Sequence, residues 1–72
     1  MYDALSTTEL AALQEALYTA TERAYWVVRL ALHNQGWLAR YLPVHTETAG
    51  LFLEAGQELR DRLNNAQKMT AA

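Results

Sequence analysis

From Leu10 onward apolar residues recur at spacings of three and four, and Leu10, Leu13, Leu17, Ala20, Ala24, Val27 and Ala31 form one unbroken stripe. That period places them on one face of an α-helix. A second stripe, Ala49, Phe52, Gly56, Leu59, Leu63 and Ala66, repeats the pattern later in the chain. Two helices that each have one apolar face to bury pack most simply against each other. The expected fold is all-α, an antiparallel two-helix hairpin.

Local signals set the expected boundaries. Ser6 and Glu9 have the spacing of a capping box, in which each side chain satisfies an otherwise orphaned backbone amide, so the first helix starts near Thr7. It is expected to span about 7–35, with Gly36 supplying the left-handed conformation that commonly ends a helix. Pro43 disfavours helical geometry at Leu42, so 37–42 reads as a short apolar turn segment. The second helix then covers about 46–67, capped by Thr46 or His45. The chain is read as a single domain over 1–72, with ends at 1–6 and 68–72 expected to fray.

A reversal between Asn34 and Thr46 would set Gly56 opposite Ala24, Leu63 opposite Leu17 and Phe52 opposite Val28. Glycine inside a helix costs roughly 1 kcal/mol relative to alanine. A close crossing against Ala20 and Ala24 would compensate for it at Gly56.

Beside the first seam run Tyr18, Tyr25, Val28 and Leu32, with Trp26 and Leu30 on the remaining flank. Between Ala24 and Leu32 only Arg29 is charged. One partner helix covers one side of such a helix, and soluble monomers seldom show a large contiguous apolar patch. The economical solution is a homodimer in which two hairpins close into a four-helix bundle. On this reading Ala24, Val27 and Ala31 belong to the intramolecular seam. Tyr18, Tyr25, Trp26, Val28, Arg29, Leu30, Leu32 and Trp37 belong to an oligomer or partner interface. The alternative is a monomer in which Trp37, Leu38 and Leu42 fold back as a lid. Arg29 has three candidate roles: reaching to water, pairing with Glu22, or bridging an interface.

Composition narrows the function classes. The chain has 72 residues and no cysteine, so disulfide staples and thiolate metal sites are ruled out. Helix packing or self-association is left to reinforce a small core. Six basic residues against eight acidic ones give a net charge of -2, which offers little attraction to a phosphate backbone. The most apolar run, Ala24 to Leu32, is far shorter than the roughly 20 residues of a membrane span. Met1 to Thr8 carries an aspartate and hydroxyls where a secretory signal would have a basic start and an apolar core. The expected location is the cytoplasm.

Candidate chemistry is sparse. His33 and His45 could meet across the turn and, with Glu47, suggest a metal site, but the spacing matches no recognised ligand set. The simpler assignment puts His33 at a helix C-terminus, where a cation is favoured, and lets His45 cap or face solvent. Glu22, Glu47, Glu54, Glu58 and Asp61 have no evident nucleophile, base or oxyanion donor beside them and read as a solvated face. Glu58 and Arg62 have the favourable i to i+4 orientation. Phosphate loops, hydrolase elbows and cysteine metal fingers are absent. No catalytic residue, metal ligand or cofactor is assigned, and the chain is not expected to be an enzyme.

The stretch Leu17 to Arg29, LYTATERAYWVVR, resembles the first-helix segment of the ferritin-like Dps proteins. That family's ferroxidase histidine falls at Tyr25 here, and the chain lacks the additional helices of the family's subunit. The resemblance therefore transfers no ligand and no chemistry.

Four functions follow as candidates. The first is a homo-oligomeric protein–protein interaction module that regulates or scaffolds a partner protein. The second is a phage- or plasmid-type small antagonist or accessory protein that occupies a basic surface. The third is a hairpin that binds structured nucleic acid through Arg23, Arg40, Arg60, Arg62 and Lys68, which the charge disfavours. The fourth is a metal- or ligand-binding helical bundle using His33 and His45. The apolar band supports the first.

Overall fold

A computed structural model describes residues 2–71 and shows two helices, α1 (Thr7–Leu30) and α2 (Gln35–Ala71), folded back on each other as an all-α hairpin. Met1 and Ala72, which belong to the segments expected to fray, lie outside the described residues. The hairpin is a rod of 56 × 18 × 17 Å. Its radius of gyration is 16.1 Å, against about 11 Å for a compact domain of this length.

α1 begins as the sequence implies. The Ser6 hydroxyl accepts from the Glu9 amide at 3.1 Å, and the Glu9 carboxylate accepts from the Ser6 amide at 2.9 Å. Its far end differs from expectation. The helix stops at Leu30 rather than continuing to about 35, and Gly36 does not end it. The reversal is a short turn through Ala31–Asn34, with no positive φ among the described residues.

The physical reason is Asn34. Its side-chain oxygen accepts from the Trp37 amide at 3.1 Å, and its carbonyl accepts from the Leu38 amide at 2.9 Å. Asparagine suits either end of a helix, and here it starts α2.

α2 therefore replaces both the turn segment expected at 37–42 and the second helix expected at about 46–67. Pro43 lies inside it. Interior proline removes one backbone bond and costs about 3 kcal/mol. Packing on both sides of it offsets this, because Leu38, Tyr41 and His45 are half-buried against α1 while Pro43 itself is exposed. Thr46, the expected cap, instead donates to the Leu42 carbonyl at 3.1 Å as an ordinary mid-helix threonine.

Reversing earlier changes the register. Phe52 meets Tyr18 rather than Val28, with ring centroids 5.7 Å apart. A side chain at Gly56 would meet Gln14 rather than Ala24. The covered face of α2 is broader than the expected seam and ends earlier: Thr48 and Ala55 join Ala49, Phe52, Gly56 and Leu59 as buried or half-buried, while Leu63 and Ala66 are exposed. In α1 the expected seam holds except that Val28 is half-buried and Val27 exposed. Among the described residues Leu10, Ala24, Ala31 and Ala55 are the buried hydrophobic ones, and the three alanines let the helices approach closely.

Candidate functional site: an apolar hairpin with two unlike sides

On either side of the α1 seam lie two stripes of different character. Gln14, Tyr18 and Tyr25 are on one side; Ala16 and Val27, with Ala20 at the edge of the seam, are on the other, two residues away and so far around the helix. The first stripe roofs its side of the hairpin. Tyr18 packs on Phe52, Tyr25 packs on His45 with ring centroids 6.1 Å apart, and the Gln14 amide closes over Gly56.

The second side stays open. Ala16, Ala20, Ala24 and Val27 of α1 and Tyr41 and Val44 of α2 line a groove of about 390 Å³. Its polar groups are the hydroxyls of Thr19, Thr48 and Tyr41 and the charge of Arg23. Thr48 is already satisfied, since its hydroxyl donates to the Val44 and His45 carbonyls. What remains accessible is an apolar trough with a cation at its rim.

Near the turn, Arg29 lies over the rings of Tyr25 and Trp26, 5.9 and 5.7 Å from their centroids. Its guanidinium also donates to the Tyr25 hydroxyl at 3.2 Å. Of the roles considered for Arg29, pairing with Glu22 is not the one taken; among the described residues the recorded ion pair is Glu58–Arg62. The cation sits on aromatic faces, an attraction of about 0.5–1 kcal/mol at an exposed site.

The residues assigned to an interface distribute as follows. Tyr18, Tyr25, Trp26, Arg29, Leu30, Leu32 and Trp37 are exposed, and Val28 is half-buried. Leu30 is 81 % exposed, Trp37 59 % and Trp26 55 %. They do not form one patch within a single helix face. Tyr18 and Tyr25 belong to the roofed side, and Leu30 continues the stripe that includes Val27.

His33 and His45 are not brought together. His33 is in the turn, whereas His45 packs at the level of Tyr25, roughly two helical turns away. Among the described residues no group of three His, Asp or Glu side chains is placed to hold a metal ion. No helix among them is long and apolar enough to cross a membrane.

One site escaped the sequence. Arg62 pairs with Glu58 at 3.2 Å and also donates to the carbonyls of Tyr2 and Leu5 at 2.9 and 2.8 Å, tying the N-terminal segment to α2. The acceptors are backbone atoms, which leave no residue-type signal. Beside this clasp Tyr2 donates to Glu54 at 3.4 Å. Partial burial and then the Glu54 charge push the Tyr2 phenol up.

No protein-family model, curated protein or solved structure matches the chain.

Proposed function

We propose that the chain is a homo-oligomeric helical interaction module, two hairpins closing into a four-helix bundle that regulates or scaffolds a partner protein. The observation that carries this reading is surface. The chain exposes 5694 Å² for its 8.1 kDa, about 1,200 Å² more than the roughly 4,500 Å² of a compact monomer of that mass. Much of the surplus is apolar, including Val27, Leu30, Val44 and Leu53. A specific dimer removes about 800 Å² from each partner, so one second copy absorbs most of the excess.

The partner-binding half of the reading rests on composition near the turn. Tyr25, Trp26, Arg29 and Trp37 are the residue types that dominate binding energy at protein interfaces, and they are exposed together at one end of the rod. Nothing in this reading calls for catalysis or a cofactor. We take the compartment to be the cytoplasm, whose reducing conditions suit a chain with no cysteine.

Sedimentation equilibrium tests the oligomer. A dimer mass at low micromolar concentration is expected. A stable 8.1 kDa species at several hundred micromolar would overturn the reading.

A further inference from the structure

We propose that the second copy seats on the groove side of the hairpin, in the trough lined by Ala16, Ala20, Ala24, Val27, Tyr41 and Val44. This rests on the homo-oligomer reading and adds to it which surface is self-complementary. Three observations select the groove. The opposite side is bridged by its own side chains, through the Tyr18–Phe52 and Tyr25–His45 contacts and Gln14 over Gly56. The cavity of about 360 Å³ that remains there is lined by Gln14, Gln57 and Arg60 beside Phe52, Leu53 and Gly56, so polar side chains, whose ends favour water, make up half of its wall.

The groove, by contrast, is walled by alanines, which let a neighbouring backbone approach and leave room for its side chains. Val27 and Val44 face each other across it, both exposed in the single hairpin. Finally, the surplus surface of about 1,200 Å² per chain matches what one hairpin face loses on pairing with another, about 800 Å² or more. A small ligand of groove size would cover much less.

A helical hairpin is thus the occupant whose size and shape fit. Thr19 and Arg23 then lie at the rim, with the Arg23 stem covering apolar surface and its charged head in water.

The test compares two exposed positions, one per side. Ala16→Glu puts a carboxylate in the groove, and Leu53→Glu puts one on the roofed side. Sedimentation equilibrium should show the dimer dissociation constant raised at least about 100-fold by Ala16→Glu, the effect of burying an unpaired charge, and less than about 3-fold by Leu53→Glu. The reverse order overturns the groove assignment while leaving the homo-oligomer reading standing. A monomeric wild-type protein removes both.

A second measurement does not depend on weakening the assembly. Because the chain has no cysteine, single variants Thr19→Cys and Leu53→Cys can each carry one nitroxide. Pulsed electron resonance should then give a shorter distance between copies for the Thr19 label than for the Leu53 label. An equal or longer distance for Thr19 overturns the proposal.

Discussion

The roofed side and the groove side of this hairpin are made from the same two helices, on either flank of the same seam, yet on one the side chains bridge the helices beside a half-polar cavity and on the other they leave a mainly apolar groove. On the roofed side the flanking positions are Gln14, Tyr18 and Tyr25, long enough to cross to Gly56, Phe52 and His45. On the groove side they are Ala16, Ala20 and Val27, too short to reach across to Tyr41 and Val44. Side-chain length beside the seam thus decides whether a helix pair satisfies itself or presents an unfilled surface. In a chain this short the contacts that bridge the roofed side matter most to the single hairpin, because among the described residues the buried hydrophobic core is one leucine and three alanines.

The largest effect that would break this comparison is on the roofed side. Removing a fully buried phenylalanine costs about 3–5 kcal/mol. Phe52 is half-buried, so Phe52→Ala should cost about 2 kcal/mol in urea unfolding at a protein concentration too low for assembly. Combined with Tyr18→Ala, the cycle should return a coupling of about 0.5–1.5 kcal/mol for the ring pair. Val27→Ala on the groove side should cost clearly less under the same conditions, because a smaller side chain that lines an open groove has less contact to lose than a ring packed on another ring. Equal costs would mean the two sides are closed alike.

Much of the hairpin was legible from side-chain types. The Ser6–Glu9 capping box, the α1 seam from Leu10 to Ala31 and the Glu58–Arg62 pair all depend on local spacing, which sequence displays directly. The reversal point was less so. Asn34 suits either end of a helix and Pro43 argues for a break, and only packing of Leu38, Tyr41 and His45 against α1 decides otherwise. The register follows the reversal, and the two sides follow the register. Thr48 lies on the covered face of α2 but outside any apolar pattern, and Ala55 widens that face beyond the expected seam. The groove itself has no sequence signature apart from the small residues Ala16, Ala20 and Ala24, whose effect appears only once their partners across the gap are known.

The glycines of α2 give a smaller and finer test. At Gly50 an added Cβ would meet nothing within 4 Å, whereas at Gly56 it would come 2.7 Å from the Gln14 side-chain nitrogen. Gly50→Ala should therefore raise stability by about 1 kcal/mol, the full helix-propensity gain. Gly56→Ala should gain less, because the Gln14 amide must swing away and partly uncover the roof. Thermal or urea midpoints of both variants check the ranking. A larger gain at Gly56 would show that Gln14 contributes nothing to closing that side.

The smallest expected effect concerns the end of the rod, outside both sides. Hydrogen bonds from the Ser6 backbone and then its side chain hold the Glu9 carboxyl below the ordinary glutamate range. Folding thus favours the ionised form, so the native state binds fewer protons than the unfolded chain where this group titrates. Its contribution is fully present above the ordinary glutamate pKa and is lost as pH falls through the depressed native value. Glu9 is exposed, so solvent screening keeps the effect modest. Glutamine can fill the same place in a capping box without titrating. The stability difference between the wild type and Glu9→Gln should therefore shrink as urea titrations are repeated from neutral pH down through the carboxylate range. A difference that stays constant over that range would show the cap to be indifferent to the charge.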